Sequence, residues 1–87
     1  MMPRVFLANP LRSRIEARDP VVVEGGTAGE VLRRIEDEHA SLKGWMLDER
    51  GRLREHVSVF VNDARATLDH PVTERDELYV LHAISGG

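Results

Sequence analysis

One amphipathic helix between groups of strands is the feature that most constrains the fold of this chain. Thr27 and Glu30 form a capping box, in which the threonine hydroxyl accepts from the Glu30 amide and the Glu30 carboxylate reaches back to the Thr27 amide. A helix over 28–39 then places three apolar side chains on one stripe: Val31, Leu32 and Ile35. With a single crossover helix available, a doubly wound α/β fold is excluded.

Short apolar runs on both sides of this helix predict five strands. The predicted strands are 4–10 and 20–26, forming a hairpin, and then 57–63, 64–68 and 77–84. The segment 40–56 has neither a helical nor a strand period and contains two helix breakers, Gly44 and Gly51. We therefore expect a long crossing loop there.

This order predicts an α+β fold, a mixed sheet of about five strands with one main helix packed on one face and the last strand beside the first. Alternation directs Leu78 and Val80, with His82, towards the helix. It directs Phe60, Tyr79 and Leu81 to the opposite, open face. The expected organisation is one domain over 1–84 followed by a flexible tail over 85–87.

Composition excludes several classes of function. Eighty-seven residues close one core, and the absence of cysteine removes disulfides and thiol chemistry. A net charge of -3 without a coherent basic face argues against nucleic-acid binding. No apolar run suits a membrane span or a signal peptide, which predicts a soluble cytoplasmic protein. The histidines lack metal-ligand spacing, so no metal site is expected: His39, His56, His70 and His82.

Three segments of the sequence resemble those of a known family: "FVND", "ERDELYVLHAI" and the terminal "SGG". With the order of elements, they resemble the MoaD/ThiS-type ubiquitin-like β-grasp sulfur carriers, such as the small subunit of molybdopterin synthase. Two positions depart from the family pattern. Arg75 stands where members usually have a glycine before the acidic pair, and Asp63 follows the turn asparagine where many have glycine.

The resemblance implies a protein co-substrate rather than an enzyme, with its chemistry at Gly87. An E1-like adenylating enzyme would use ATP to activate the terminal carboxylate, and a sulfur donor would convert it to a thiocarboxylate. An acceptor enzyme, of the molybdopterin synthase large-subunit, cysteine synthase or tRNA-thiolation type, would take the sulfur. The carrier itself would bind no cofactor. Gly86 and Gly87 lack side chains that would obstruct a narrow channel. An extended 85–87 segment reaches about 10 Å.

The open-face residues have two interpretations. They are either singly exposed apolar side chains, which are normal, or a docking patch for the partner enzymes. We favour the patch, composed of Phe60, Tyr79 and Leu81, with Ile84 and Ser85 at the root of the tail. Trp45 is assigned to the core rather than to a partner contact.

Two other functions compete with the sulfur carrier. A ubiquitin-like modifier would be joined through Gly87 to lysines of target proteins, using the same adenylation. A non-covalent binding module would use only the sheet. Deleting the two terminal glycines would abolish the function of a sulfur carrier or of a modifier and would leave that of a binding module intact.

Overall fold

The computed structural model describes residues 2–16 and 18–83, so the predictions for Ile84, Ser85, Gly86 and Gly87 lie outside the described residues. Within them, five strands and one α-helix follow each other in the predicted order. Their bounds are β1 Arg4–Leu7, β2 Val21–Val22, α1 Ala28–Glu38, β3 Val57–Val61, β4 Ala64–Ala66 and β5 Glu77–His82. The predicted elements were longer than the observed ones, above all in the first hairpin, where β2 has only two residues.

The sheet has the strand order β2-β1-β5-β3-β4. The central strand β5 pairs in parallel with β1 and antiparallel with β3, and the two outer pairs are antiparallel. The sheet is therefore mixed, and the predicted contact between the first and last strands is confirmed. The last strand of the chain, β5, is therefore the central strand of the sheet.

Helix α1 starts at the predicted cap, with one difference. The Thr27 hydroxyl accepts from the Glu30 amide at 3.2 Å, as expected. The Glu30 carboxylate, however, accepts from the amide of Gly26 at 2.8 Å and not from that of Thr27. The carboxylate, one turn into the helix, can accept from the amide of Gly26 or from that of Thr27. The backbone direction before the helix decides which of the two amides points towards it.

The core lies between α1 and the sheet. The three residues of the predicted helix stripe, Val31, Leu32 and Ile35, are fully buried, and so are Leu78 and Val80 of the central strand. Val72, in the link before β5, is also buried and closes one end of the core. Burying each such aliphatic side chain stabilises the fold by about 1.5–3 kcal/mol.

The segment 40–56 is more ordered than the crossing loop that was predicted. It begins with a short 3-10 helix, Ala40–Leu42, and residues Leu47 and Leu53 form an isolated bridge. Its buried side chains are Leu42, Met46 and Leu47. Gly44 and Gly51 both have positive φ, 82° and 78°, which explains the glycines at these turns.

Glu36, on α1, holds this segment in place. Its carboxylate is buried and accepts hydrogen bonds from three backbone amides: Gly44 at 3.1 Å, Met46 at 2.9 Å and Leu47 at 2.9 Å. These bonds replace the strand pairing that the segment lacks. A carboxylate that bonds to a distant backbone leaves no period in the sequence, so the order of 40–56 could not be predicted from periodicity.

The two departures from the family pattern are accommodated differently, one by the backbone conformation of Asn62 and the other by side-chain hydrogen bonds of Asp76. Asn62 adopts the left-handed conformation, with φ at 56°, so the turn into β4 forms with Asp63 next to it. Asp76 accepts from the Thr73 amide at 2.8 Å and from the Asn62 side chain at 2.9 Å. These bonds close the turn before β5 without a glycine at Arg75, whose φ is not positive.

Candidate functional site

The open face of the sheet, which is the side away from α1, carries a row of aromatic rings. Strand register aligns Phe6 of β1, Tyr79 of β5 and Phe60 of β3 across three adjacent strands. The rings of Phe6 and Tyr79 stack, with their centroids 5.0 Å apart and their planes 13° apart. Leu81 follows on the same face, opposite Ser58.

This row is accessible to a partner. Tyr79 and Leu81 expose 37% and 44% of their surface, while Phe60 is half-buried. At the edge of the sheet, Val22 exposes 47%. Exposed apolar residues on one face of a sheet form a surface of the type that binds other proteins.

A charged pair borders the aromatic row. Arg4 and Glu77, which are register partners, approach to 3.3 Å. Glu77 also accepts from the Tyr79 hydroxyl at 2.9 Å, and this hydrogen bond raises the pKa of Tyr79 above its ordinary value. The Tyr79 hydroxyl is therefore directed towards Glu77, which lies on the same strand.

The predicted open-face residues thus lie together: Phe60, Tyr79 and Leu81. Ile84 and Ser85, which were assigned to the same patch, are outside the described residues. Phe6 and Val22 were missed. Phe6 alternates with the buried Val5 and Leu7, and that alternation is the signal that identifies its face.

On the other side of the sheet, the end of β5 rests on the segment 40–56. The amide of Ala83 donates to the carbonyl of His56 at 2.8 Å. The His82 ring lies 4.5 Å from the ring of His56 and 5.8 Å from that of Trp45. Trp45 is half-buried and packs against the core, as predicted. Ala83, the last described residue of the chain, is therefore held against the segment 40–56 by a backbone hydrogen bond, next to the ring contacts of His82.

A second set of contacts ties the N-terminal region to the same place. The guanidinium of Arg14 lies 4.1 Å above the Trp45 ring, and its Nε donates to the Ser41 carbonyl at 2.8 Å. The Ser41 hydroxyl donates in return to the Arg14 carbonyl. Sequence reasoning did not bring these residues together, because they come from loops that have no regular period.

In the part of the chain that the structure describes, His, Cys, Asp and Glu side chains form no group of three or more that could hold a metal ion. Among the same residues, no helix combines the length and the apolar character needed to cross a bilayer.

Solved structures with the same architecture show which class of protein this fold defines. SAMP1, the small archaeal modifier protein 1 of Haloferax volcanii, matches with a TM-score of 0.87 at 26% identity, over 100% of both chains. A chain of the BexX/CysO complex from Amycolatopsis orientalis matches with a TM-score of 0.81 at 28% identity, over 97% of this chain and 98% of that one.

CysO of Mycobacterium tuberculosis, at 23% identity and a TM-score of 0.79, covers 93% of this chain and 98% of its own, and agrees in fold. The chain has the ubiquitin-like β-grasp fold of the small sulfur carriers. No protein of curated function matches its sequence significantly. The model of the ThiS family matches residues 6–87, and the chain belongs to that family.

Proposed function

We propose that this protein carries sulfur as a thiocarboxylate on Gly87. An oxygen of the Gly87 carboxylate attacks the α-phosphorus of ATP in an E1-like adenylating enzyme, forming an acyl adenylate and releasing pyrophosphate. A sulfur donor equivalent to hydrosulfide then attacks the acyl carbon, and AMP leaves. A bare carboxylate resists this attack because its charge is delocalised over two oxygens, so adenylation is what makes the exchange possible.

The observation that carries this proposal is the ThiS-family match, which runs from residue 6 through Gly87. The described fold is consistent with it. β5 is paired on both sides, and the amide of Ala83 is hydrogen-bonded to His56, so the proposed tail follows a strand end that is anchored to the domain. Fixing that point reduces the conformational freedom that the tail must lose when a partner binds it.

The open face is the proposed docking surface for the adenylating and acceptor enzymes. Tyr79 and Leu81 lie on the strand that leads into the tail, so a partner that covers them also receives the tail. In this arrangement Phe60 and Phe6 extend the contact across the sheet, and Ile84 and Ser85 continue it towards Gly87. The protein supplies the surface and the carboxylate, while its partners supply ATP and the catalytic groups.

The likeness to CysO at 28% identity fits a role in cysteine biosynthesis, with an acceptor of the cysteine synthase type. Molybdopterin synthase and tRNA-thiolation enzymes are the other acceptor classes to be compared. Thiocarboxylated protein mixed with each acceptor and its substrate identifies the pathway, because sulfur leaves Gly87 only with the correct acceptor. The proposed place of action is the cytoplasm.

Intact-mass spectrometry tests the carrier proposal. The full chain is incubated with ATP, the cognate adenylating enzyme and a sulfur donor. We expect the mass gain of one oxygen-for-sulfur exchange, located on Gly87 by fragmentation. A variant lacking Gly86 and Gly87 is the matched control and should stay unmodified. Unchanged mass of the full chain with an enzyme that is active on another carrier would refute the proposal.

The likeness to SAMP1, a small archaeal modifier protein, favours a second candidate function. In this alternative the activated Gly87 forms isopeptide bonds with lysines of target proteins. Lys43 is the only lysine in the chain, which restricts the formation of chains of this protein on itself to one site. Higher-mass adducts in cell lysate that vanish on deletion of Gly86 and Gly87 would establish conjugation. Retained function after that deletion would instead indicate a non-covalent module.

A further inference from the structure

A recess opens beside the end of β5, on the side of the sheet that faces α1. Its volume is about 460 Å³, and it is lined by Lys43, Gly44, Trp45, Arg54, His56 and His82. We call it the tail-root recess, since Ala83 follows directly after His82. The open face, with Tyr79 and Leu81, lies on the other side of the same strand.

The lining of the tail-root recess is basic although the chain as a whole has a net charge of -3. It includes an ammonium, a guanidinium and two imidazoles, and no carboxylate. Among residues 2–16 and 18–83, the ion pairs involve Arg4, Arg12 and Arg52, and neither Lys43 nor Arg54 takes part in one. The charges of Lys43 and Arg54 are therefore not neutralised by an ion pair, although both side chains also line an adjoining recess with Glu36, Asp48 and Glu49.

The nearest buried or partly buried carboxylates are already engaged. Glu36 accepts from three backbone amides. Asp48 accepts from the amides of Arg50 and Arg52, both at 2.9 Å, and pairs with the Arg52 guanidinium at 3.5 Å. The remaining carboxylates nearby, Glu49 and Glu55, are exposed to water. The cations of the recess thus lack a committed partner within the described part of the chain.

Two contacts position part of the recess wall before any ligand binds. Arg54 donates from Nε to the Gly44 carbonyl, and Arg14 covers one face of Trp45. His82 Nδ1 is buried and has no hydrogen-bond partner among the described residues. A preformed cluster of donors loses little side-chain freedom on binding, which favours association with an anion.

We propose that the tail-root recess binds an acidic segment, rich in Asp and Glu, of the partner protein that takes up the C-terminal tail. This inference rests on the proposed function and adds the chemistry of the partner to it. A partner that encloses the tail approaches the end of β5, where the apolar open face lies on one side and this recess on the other. Lys43 and Arg54 then pair with its carboxylates, which steers association and fixes orientation.

NMR titration of the full chain with a capped hexaglutamate peptide at low ionic strength tests the inference. We expect the Trp45 indole N–H and the His82 ring signals to shift, and the shifts to disappear at high salt because the attraction is screened. Capped hexaglutamine is the neutral control peptide, and inorganic phosphate is the small-anion control. Neither should reproduce the shifts at equal concentration.

Lys43→Gln is the matched variant, since Lys43 is exposed and its removal leaves the walls intact. It should weaken peptide binding about two- to fivefold, the effect of one solvent-exposed ion pair. Arg75→Gln removes the same charge near the opposite end of β5 and should leave the affinity unchanged.

Three results would overturn the inference: no shift with hexaglutamate, equal shifts with hexaglutamine, or equal shifts with inorganic phosphate. A fourth would be equal weakening by both variants. The titration involves no activation of Gly87. If the peptide does not bind but the chain is still thiocarboxylated, only the inference about the tail-root recess is refuted. Binding of the peptide to a chain that is never thiocarboxylated refutes the carrier proposal instead.

Discussion

Replacing Glu36 by alanine should uncouple the segment 40–56 from α1 and destabilise the whole domain. The change removes the acceptor of three amides, of which those of Met46 and Leu47 are buried. Each buried amide without a partner costs about 1–3 kcal/mol, or about 2–6 kcal/mol for two. Relief from burying a charge offsets part of this cost. We therefore expect a loss of about 2–4 kcal/mol from a total stability of about 4–13 kcal/mol.

Urea unfolding followed by the fluorescence of Trp45, the only tryptophan, measures this loss. At about 1–3 kcal/mol per molar urea, the midpoint should fall by about 1 M or more. Glu36→Gln keeps one oxygen that can accept from Met46 and Leu47, so it should cost about 1–2 kcal/mol. The control is Glu38→Ala, an exposed position on the same helix, which should change stability by less than about 0.5 kcal/mol.

Amide hydrogen exchange separates the proposed cause from a general loss of helix. Protection of the Met46 and Leu47 amides should collapse in Glu36→Ala at urea concentrations where the central strand remains protected. Equal stability of the Glu36→Ala and Glu38→Ala proteins, or unchanged exchange at those two amides, would refute the role assigned to Glu36.

Three further predictions concern the turn before β5, the turn from β3 into β4 and the open face. The hydrogen bond from Asn62, followed by that from the Thr73 amide, lowers the pKa of Asp76. The ionised Asp76 carboxylate therefore stabilises the fold fully above the ordinary carboxyl pKa of about 3.9, and this stabilisation is lost as pH falls through the lower pKa of the folded state. Asp76→Asn should accordingly cost stability at neutral pH and progressively less in acid. Urea midpoints at several pH values check this, and a difference that is constant with pH would contradict it. Asn62→Ala should be less stable than Asn62→Gly by about 1 kcal/mol in urea unfolding, since both lose the same hydrogen bonds but only alanine is strained at a φ of 56°; equal midpoints would contradict the strain. Leu81→Asp should raise the protein concentration needed for half-maximal adenylation by about tenfold, as at a binding hot spot, with an unchanged urea midpoint; an unchanged concentration would place docking elsewhere.

The regular elements were predictable because each one is a local pattern. The Thr27 cap and the stripe from Val31 to Ile35 identify the helix, and alternation from Val57 to Val61 identifies β3. The same alternation in β5 separates Leu78 and Val80 from Tyr79 and Leu81, which predicted both faces of the sheet. Fold class and open face follow from these periods together with the pairing of the last strand with the first.

What could not be predicted depends on single contacts between distant residues. The buried Glu36 carboxylate looks in the sequence like any charged residue of a helix, and its three amide partners lie eight to eleven residues away. The approach of His56, His82 and Trp45 likewise arises where a loop meets the end of a strand. The face on which Phe6 lies could have been predicted from alternation in β1. It was missed because the strand was predicted too long, over 4–10, and the alternation does not continue beyond Leu7.

The parallel pairing of β1 with β5 has a consequence for the synthesis of the protein. The strands made early, β1 and β2, and those made later, β3 and β4, are joined within the sheet only through β5. A nascent or truncated chain without β5 therefore has two separate hairpins and an unfinished core, and such partly folded chains are prone to aggregation and degradation. The strand that completes the domain is the one that leads directly to Gly87. A molecule whose sheet is complete has therefore been translated at least through β5.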